Sequence, residues 1–491
     1  MIPNDAPSNP WERTSLPNGR HLIGGEWVPA RTGEVVDVID PSSGTVITTV
    51  PRGDATDVDD AARAAEEAFP AWRDESATVR GELVHRWAEL CRERASDLDA
   101  LEAFEVGRPL LGSSPIPRTI AYVAGAADKV AGLTLPSHHP DALGMTLREP
   151  YGVCGSIIPW NVPGKLMAAD VAPAVAAGNT IVVKPAEDAP LTVLYLAALA
   201  QQAGLPAGVL NVVTGYGAEA GAALPENARI RRMSFTGSPD TGRRVMEACS
   251  RRLIPVHLEL GGKSPQVVLG DADLSRAVPA IVTSMTFNAG QVCAAGTRVV
   301  VDRSRHAELV DRVAERVANL RMGSWDSGAD MGPLINARQQ DRVLGYLDVG
   351  RGEGADVVVG GSRPSGAEFD SGFYVQPTIF DSVTPEMRIA QEEIFGPVLA
   401  VLPVDGAEEA VSVANGTEYG LVASVWTHDV GTAVRTARRV QAGQVYVNTM
   451  GSTDVIGAPF GGYKRSGFGR TMAADTILDY TQVKTLIIKA E

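Results

Sequence analysis

Cysteine, basic charge and long apolar runs are all scarce in this 491-residue chain, and each shortage argues against a class of protein. The four cysteines lie far apart with no CxxC spacing, which argues against a disulfide framework or a thiolate metal site. No apolar run reaches the roughly 20 residues that span a bilayer, and the first residues lack the basic and apolar regions of a signal peptide. We therefore expect a cytoplasmic protein with no membrane partner and no metal.

Acidic residues outnumber basic ones, 59 Asp and Glu against 44 Lys and Arg, which gives a formal net charge of -15 at pH 7. Such a chain repels the phosphates of nucleic acids unless a local basic patch overrides the repulsion. The sequence contains no such patch, so we expect no nucleic-acid partner. The length exceeds what one core accommodates, which indicates two or three domains.

From Tyr151 onward the sequence alternates between short β-branched runs and alanine-rich stretches of helical periodicity. A first series of runs consists of "VCGSIIP", "TIVVKP", "VLNVVTG" and "RRMSFTG", and a second consists of "SPQVVLGD", "RVVVDR", "DVVVGG", "LAVLPVD" and "ASVWTHD". Buried parallel strands that alternate with helices explain both series. The sequence therefore predicts an α/β fold with two α/β units.

The two ends of the chain follow other patterns. Residues 55–69 and 80–101 have helical periodicity, and "HLIGGEWVPA" before them indicates the entry to a hairpin. Near the C-terminus, "LDYTQVKTLIIK" alternates like a strand, yet no helix follows to cover it. We expect this strand to pair with another subunit.

Two side chains are candidates for chemistry. Cys293 lies among small residues in "FNAGQVCAAG", where it is either a reactive thiol or one of the inert cysteines that fill a core like small apolar residues. Glu259 lies at the end of the apolar run "IPVHLEL", where a carboxylate either acts as a general base in a cleft or forms an internal ion pair. Local sequence leaves both choices open.

Lysine usage adds three further candidates. Only seven of the 44 basic residues are lysines, so a lysine within a Gly- or Pro-rich motif is more apt to have a local task. Lys184, Lys263 and Lys464 lie in such motifs. The alternative for each is a solvated surface charge.

One helix start is well suited to phosphate. In "FTGSPDTG", Ser238 can cap a helix, Pro239 suits its first position and Gly237 permits close backbone approach. A helix N-terminus of this kind receives phosphate, although a simple cap without a ligand explains the residues equally well. "GYGAEAG" differs by one residue from the dinucleotide fingerprint, which favours a plain turn there.

Seven motifs together identify a family. They are "PWNVP" (159–163), "KPAED" (184–188), "FTGS" (235–238), "ELGGKSP" (259–265), "GQVC" (290–293), "EEIFGPV" (392–398) and "PFGGYKRSG" (459–467). In this order and across nearly the whole chain, they resemble the motifs of the aldehyde dehydrogenase superfamily. The resemblance favours a reactive Cys293 over an inert one.

The resemblance implies an α/β fold of three parts. Residues 11–131 and 151–261 are expected to form a discontinuous, Rossmann-like NAD-binding domain, and residues 262–464 an α/β catalytic domain. Residues 132–150 and 476–491 are expected to form a small β oligomerisation flap. A homodimer or homotetramer follows, because neither flap segment buries its strand edge alone.

The resemblance also implies the catalytic roles. Cys293 is expected to add to an aldehyde carbonyl, Asn161 to donate to the resulting oxyanion, and Glu259 to act as the general base that hydrolyses a thioester to the carboxylic acid. One alternative is a non-catalytic structural or binding member of the fold. Another is an enzyme that transfers the acyl group to coenzyme A, although Glu259 favours water as the acceptor.

The expected cofactor is NAD rather than NADP. By resemblance, Lys184 and Glu187 contact the adenosine ribose, and the Glu187 carboxylate repels a 2'-phosphate. The remaining cofactor residues are expected beside the pyrophosphate and the nicotinamide ribose: Trp160, Gly237 and Ser238 at the former, Glu393 and Phe395 at the latter.

The expected substrate pocket is apolar, and its residues are Leu166, Ala169, Phe287, Val292 and Ala294. Relatives often have a Trp or an Arg where this chain has Ala169, a Lys where it has Asp170, and an acidic residue where it has Thr471. We expect the segment after Asn161 to offer no cation, which favours apolar aliphatic or aromatic aldehydes. Asp454, in a loop that lines the pocket in relatives, would change its polarity.

Overall fold

The computed structural model describes residues 9–451 and 455–489, so Asp454 and the last two residues of the predicted flap lie outside the described residues. The strands are β1 (His21–Ile23), β2 (Glu26–Val28), β3 (Val35–Ile39), β4 (Val46–Pro51), β5 (Thr134–Leu135), β6 (Ala142–Pro150), β7 (Val153–Ile158), β8 (Thr180–Pro185), β9 (Leu210–Val212), β10 (Ile230–Thr236), β11 (Val256–Glu259), β12 (Pro265–Val268), β13 (Arg298–Asp302), β14 (Asp356–Val359), β15 (Thr378–Asp381), β16 (Val398–Val404), β17 (Tyr419–Gly420), β18 (Val422–Trp426), β19 (Gln444–Val447), β20 (Tyr463–Lys464), β21 (Gly467–Phe468) and β22 (Thr481–Lys489).

The helices follow the predicted spacers between strands. They are α1 (Ala55–Asp74), α2 (Ala77–Glu93), α3 (Ala95–Val106), α4 (Ile116–Ala124), α5 (Pro163–Ala176), α6 (Leu191–Gln202), α7 (Ala222–Glu226), α8 (Pro239–Arg252), α9 (Leu274–Thr286), α10 (His306–Ala318), α11 (Ala337–Gly352), α12 (Arg388–Gln391), α13 (Gly406–Asn415), α14 (Val430–Arg439) and α15 (Thr476–Asp479). None of the helices in the described ranges is long and apolar enough to cross a membrane.

The first sheet confirms the first series of predicted strands. Its order is β2-β1-β9-β8-β7-β10-β11-β21, and the five central strands run parallel. The apolar runs of these strands are buried on both faces, as a sheet covered by helices on each side requires. The predicted hairpin supplies β1 and β2 at one edge.

The second sheet confirms the second series. Its order is β14-β15-β16-β13-β12-β18-β19, parallel throughout except that β14 runs antiparallel at one edge. Together the two sheets confirm the predicted α/β class with a doubly wound nucleotide-binding type of sheet and a second α/β unit.

The third sheet corrects one expectation. Strand β22 pairs along its whole length with β6 of the same chain, in the order β22-β6-β5. The prediction that β22 finds its partner in another subunit is therefore wrong for this edge. Alternation shows that a segment is a strand but not which segment, here more than 300 residues away, completes it. The opposite edge of β22 has no strand partner among the described residues.

Strand β21 is the short edge strand of the first sheet, and it pairs with the end of β11 that carries Glu259. Gly467 pairs with Glu259 and Phe468 with Leu258. Gly467 has φ +104°, and a Cβ there would lie 2.0 Å from the carbonyl oxygen of Leu258. Only glycine satisfies both the backbone angle and the close approach at this position.

The first prediction concerns this glycine. Gly467→Ala should lower stability by about 2 kcal/mol or more, because it adds a clash with the backbone to the strain of a left-handed angle. The measurement is the thermal unfolding midpoint. Gly33→Ala is the matched control, since Gly33 has φ +73° but open space around its Cβ direction. Equal losses in the two variants would contradict the close-packing explanation.

Candidate active site

The motif residues of the first half of the chain lie at one edge of the first sheet. Asn161 follows β7, Glu187 follows β8, Ser238 follows β10 and Glu259 ends β11. Because these strands run parallel, their carboxyl ends share one edge, where α/β proteins of this type bind their ligands. Motifs that are far apart in the sequence therefore lie close together in space.

The motif residues of the second half precede strands of the second sheet. Cys293 lies between α9 and β13, while Glu393 and Phe395 precede β16. Contacts join these segments to the first sheet: the backbone N–H of Gly262 donates to Glu393 Oε1 at 3.0 Å. The carboxyl edge of one sheet therefore meets the amino edge of the other.

The loop before Cys293 has an unusual backbone. Asn288 and Ala289 both have φ +51°, and Gly290 follows at φ +73°. A Cβ on Gly290 would lie 2.3 Å from the carbonyl oxygen of Gly396. Two non-glycine residues in the left-handed region store strain, which surrounding contacts must hold, as is common at functional sites.

Asn161 is tied to this loop. Its side-chain amide donates to the carbonyl oxygen of Gln291 at 3.0 Å, and the amide of Asn288 donates to the carbonyl oxygen of Asn161 at 2.8 Å. Gln291 in turn accepts the backbone N–H of Ile335 at 3.0 Å. These bonds bring Asn161 beside Cys293 and leave one amide hydrogen of Asn161 for a further acceptor. Asn288 and Gln291 were not predicted as site residues, because nothing in the surrounding sequence distinguishes them.

Cys293 differs from the other cysteines in exposure. Cys91, Cys154 and Cys249 are buried, whereas Cys293 keeps part of its surface in contact with solvent. A thiol that must meet a substrate requires such access.

The groups around Cys293 raise the pKa of its thiol. Burial of the thiol and the negative charges of Glu259 and Glu393 raise its pKa above the ordinary value, while the charge of Lys165 acts in the opposite direction. The resting side chain is therefore a thiol at neutral pH. It needs a base to become a nucleophile.

Glu259 has the properties that such a base requires. It is 2% exposed, and neither of its carboxylate oxygens has a hydrogen-bond partner among the described residues. Burial raises its pKa to about 8; the Cys293 thiol acts to lower the value, and the charges of Glu393 and Asp170 raise it further. No described cation pairs with Glu259, so an internal ion pair does not explain its position.

Two further ionisable groups flank the junction of the sheets. Burial raises the pKa of Glu393 to about 7, although the N–H of Gly262 and the charges of Arg342 and Lys263 oppose the rise. Lys263 is buried, and burial and Arg298 lower its pKa to about 7. Its ammonium nitrogen has no hydrogen-bond partner in the described part of the chain. The alternative interpretation of Lys263 as a solvated surface charge is therefore excluded.

The other two lysines have different surroundings. Lys184 is buried, and its Nζ lies 3.0 Å from Oε2 of Glu187. Burial acts to raise the pKa of Glu187, but the charge of Lys184 lowers it overall, so the carboxylate stays ionised. Lys464 donates to the carbonyl oxygens of Asn415 and Thr417 and is exposed.

The structure places the remaining cofactor candidates as follows. Ser238 caps α8 by accepting the N–H of Thr241 and is exposed, and the N–H of Gly237 donates to the carbonyl oxygen of Glu259 at 3.1 Å. Trp160 and Phe395 pack edge to face with ring centroids 5.4 Å apart. The helix start after "FTGS" is therefore open, and it lies next to the strand that carries Glu259.

The candidate pocket residues fall into two groups. Leu166 and the buried Ala169 lie on α5, while Phe287, Val292 and Ala294 lie in the loop around Cys293, with Phe287 37% exposed. The expectation that this region offers no cation is wrong. Lys165, directly before Leu166, lies close enough to lower the pKa of the Cys293 thiol. This lysine lies in the same helix as the apolar residues Leu166 and Ala169.

Comparisons with known proteins agree with this geometry. The model of the aldehyde dehydrogenase family matches residues 27–486. Hydroxyisobutyraldehyde dehydrogenase of Mycolicibacterium austroafricanum is 43% identical over 96% of this chain and 93% of its own. Aldehyde dehydrogenase, cytosolic 1, of Rattus norvegicus is 41% identical over 98% of this chain and 97% of its own.

A solved structure extends the likeness to the whole fold. Betaine aldehyde dehydrogenase of Staphylococcus aureus in complex with NAD+ superposes with a TM-score of 0.96 at 34% identity, covering 98% of this chain and 97% of its own. The sequence motifs, the two joined sheets and these matches lead to one conclusion. The chain belongs to the aldehyde dehydrogenase family.

Proposed function

We propose that this enzyme oxidises an uncharged, largely apolar aldehyde to its carboxylic acid with NAD as the oxidant. One observation carries the proposal. Cys293, the one cysteine of the described chain that reaches solvent, lies beside a buried carboxylate that has no other partner, Glu259, and beside the amide of Asn161. A nucleophile, a base and an oxyanion donor are then within one site.

The first step is addition of the thiol to the aldehyde. Glu259 takes the proton of Cys293 as Sγ bonds to the carbonyl carbon, and the electron pair of the C=O bond moves to oxygen. The free amide hydrogen of Asn161 and the backbone N–H of Cys293 are the donors for that oxyanion. One such donor contributes about 2.7 to 4 kcal/mol to the transition state in a comparable site.

The residues where the two sheets meet fit NAD. The open N-terminus of α8 at Ser238 suits the pyrophosphate, the ionised Glu187 suits the adenosine ribose hydroxyls, and Glu393 with Phe395 suits the nicotinamide ribose. When bound, NAD accepts the hydride that leaves the substrate carbon. We prefer NAD over NADP, because a 2'-phosphate would meet the charge of Glu187.

Hydrolysis completes the reaction after protonated Glu259 has released the proton of Cys293 to solvent and is a carboxylate again. Glu259 takes a proton from water, the water oxygen bonds to the acyl carbon, and the C–S bond breaks with its electron pair returning to sulfur. A buried carboxylate with free oxygens is suited to this task. We infer that water, rather than coenzyme A, accepts the acyl group.

The assembly and location are part of the proposal. We propose a homodimer or homotetramer built through the third sheet, which exposes Leu143, Val483 and Ile487. We further propose a division of the chain at the boundaries given above, with residues 132–150 and 476–491 as the flap. The rat relative is named as cytosolic, and we propose the cytoplasm for this enzyme as well.

The second prediction tests the nucleophile. Cys293→Ala should abolish NADH formation from aldehydes while leaving NAD binding, measured by quenching of intrinsic fluorescence, close to that of the unmodified enzyme. Cys249→Ala is the control, since Cys249 is buried in α8 away from these motifs. Sustained turnover in Cys293→Ala would remove this residue as the nucleophile.

The third prediction uses the pKa of Glu259. A general base acts only when deprotonated, so kcat/KM should rise with pH and level off above about 8. Glu259→Gln should lower activity by about 100-fold or more and remove this limb of the profile. Glu105→Gln is the control, because burial also raises the pKa of Glu105 to about 8, yet its carboxylate accepts N–H groups of α6. A limb that persists in Glu259→Gln, or that disappears in Glu105→Gln, would contradict the assignment.

The fourth prediction concerns the substrate. The kcat/KM values should increase from acetaldehyde to hexanal, because each buried CH2 contributes up to about 0.8 kcal/mol, or about fourfold. Benzaldehyde should also be a good substrate, and succinic semialdehyde and betaine aldehyde poor ones. Lys165→Met should leave hexanal oxidation nearly unchanged. A preference for succinic semialdehyde that Lys165→Met removes would show that Lys165 binds a carboxylate and would contradict the apolar assignment.

A further inference from the structure

A row of polar side chains crosses the first sheet behind Glu259. Ser156 of β7 is the direct neighbour of Ser234 of β10, and Ser234 is the direct neighbour of His257 of β11. All three are buried. Ser156 Oγ donates to the carboxylate of the buried Asp170 on α5 at 2.7 Å, and Ser234 Oγ lies 3.3 Å from Nδ1 of His257. Buried positions in the interior of a sheet usually carry apolar side chains, so a row of polar side chains there requires an explanation.

The row ends next to the proposed general base. His257 and Glu259 are two residues apart on β11, so their side chains leave the same face of the sheet, with Cα atoms about 6.6 Å apart. Nε2 of His257 and both carboxylate oxygens of Glu259 lack a hydrogen-bond partner among the described residues. Two buried, unpaired groups at this spacing are within reach of each other through one water.

Solvent lies on the other side of His257. Gly469 follows β21 with φ +93°, is exposed, and packs directly on the imidazole, since a Cβ there would lie 2.1 Å from Cδ2 of His257. The backbone of an exposed glycine therefore covers this edge of the ring. No side chain at position 469 blocks the approach.

We propose that His257 accepts the proton that Glu259 collects in each turnover and passes it to solvent beside Gly469. Asp170, Ser156 and Ser234 are positioning residues that hold the imidazole for this transfer. The inference rests on the proposed role of Glu259 as the base. It assigns a function to a polar cluster that the reaction steps above do not use.

The transfer balances in protons and charge. The O–H bond of protonated Glu259 breaks and an N–H bond forms at Nε2, while Nδ1–H is donated to Ser234 Oγ, which gives an imidazolium beside a regenerated carboxylate. The imidazolium then loses its Nε2 proton to a solvent water beside Gly469, the N–H electron pair stays on Nε2, and neutral His257 with Nδ1–H is restored.

The charges that face His257 favour a brief imidazolium rather than a lasting one. Burial lowers the pKa of His257 to about 4, Asp170 acts to raise it, and Arg232 and Arg470 act to lower it. Arg232 is held by Tyr480, with its guanidinium 3.7 Å from the ring centroid. The resting ring is therefore neutral, and the imidazolium forms only in passing because it is a much stronger acid than protonated Glu259; the negative Asp170 stabilises this charged form.

The fifth prediction tests the relay by chemical rescue. His257→Ala should slow the steady-state oxidation of hexanal by about tenfold, less than the loss of the base itself. Imidazole added to the assay should restore much of the rate, because it fits the cavity and carries protons. Pyrrole, which has the same shape but no basic nitrogen, should not. His306→Ala is the control, since His306 is hydrogen-bonded to Asp381 near the second sheet and should show neither the loss nor the rescue.

The other outcomes are equally decisive. An unchanged rate in His257→Ala, or a loss that imidazole does not restore or that pyrrole restores equally, overturns the relay. If His257→Ala does not fold, Asp170→Asn should slow turnover and increase its solvent deuterium isotope effect, and an unchanged isotope effect overturns the proposal. Full activity of Glu259→Gln would instead overturn the general base, so the two failures are distinguishable.

Discussion

The site depends on a buried carboxylate and a partly exposed thiol that lie side by side where the two sheets meet. Glu259 ends a strand of one sheet, Cys293 precedes a strand of the other, and no described cation pairs with the carboxylate. Burial raises the pKa of both groups, and the charge of Glu259 raises that of the Cys293 thiol further, while the thiol acts to lower the pKa of Glu259. Burial of an unpaired carboxylate lowers the stability of the folded protein, and here it occurs where the proposed reaction needs a base.

Backbone contacts hold the two sheets in the register that this pair requires. Ser466 is fully buried and joins the segment after β11 to the segment before β18, because its Oγ donates to the carbonyl oxygen of Gly261 and accepts the N–H of Gly420. The strained loop at Asn288 and Ala289 is fixed from the other side by Asn161. These contacts explain why the motifs that carry them contain serine, asparagine and glycine rather than larger residues.

The sequence predicted the parts of the fold that depend on local pattern. The apolar runs of both α/β series became the central strands, and Ser238 became the predicted helix cap. Contacts between distant segments were not predictable in this way. The pairing of β22 with β6, the row from Asp170 to His257 and the role of Gln291 beside Asn161 all join residues whose individual surroundings in the sequence are ordinary. Lys165 was not predicted for another reason, because it is a single charge among the apolar neighbours that were taken to define the pocket.

The central claim is that Cys293 carries the acyl group and Glu259 drives its removal. The most direct measurement is rapid acid quenching of the enzyme during turnover of hexanal with NAD, followed by mass spectrometry of the peptides. The account predicts a hexanoyl group on the peptide that contains Cys293, with a longer lifetime in Glu259→Gln than in the unmodified enzyme. NADH formation without any acyl group on Cys293, or an acyl group of equal lifetime in the two enzymes, would contradict it.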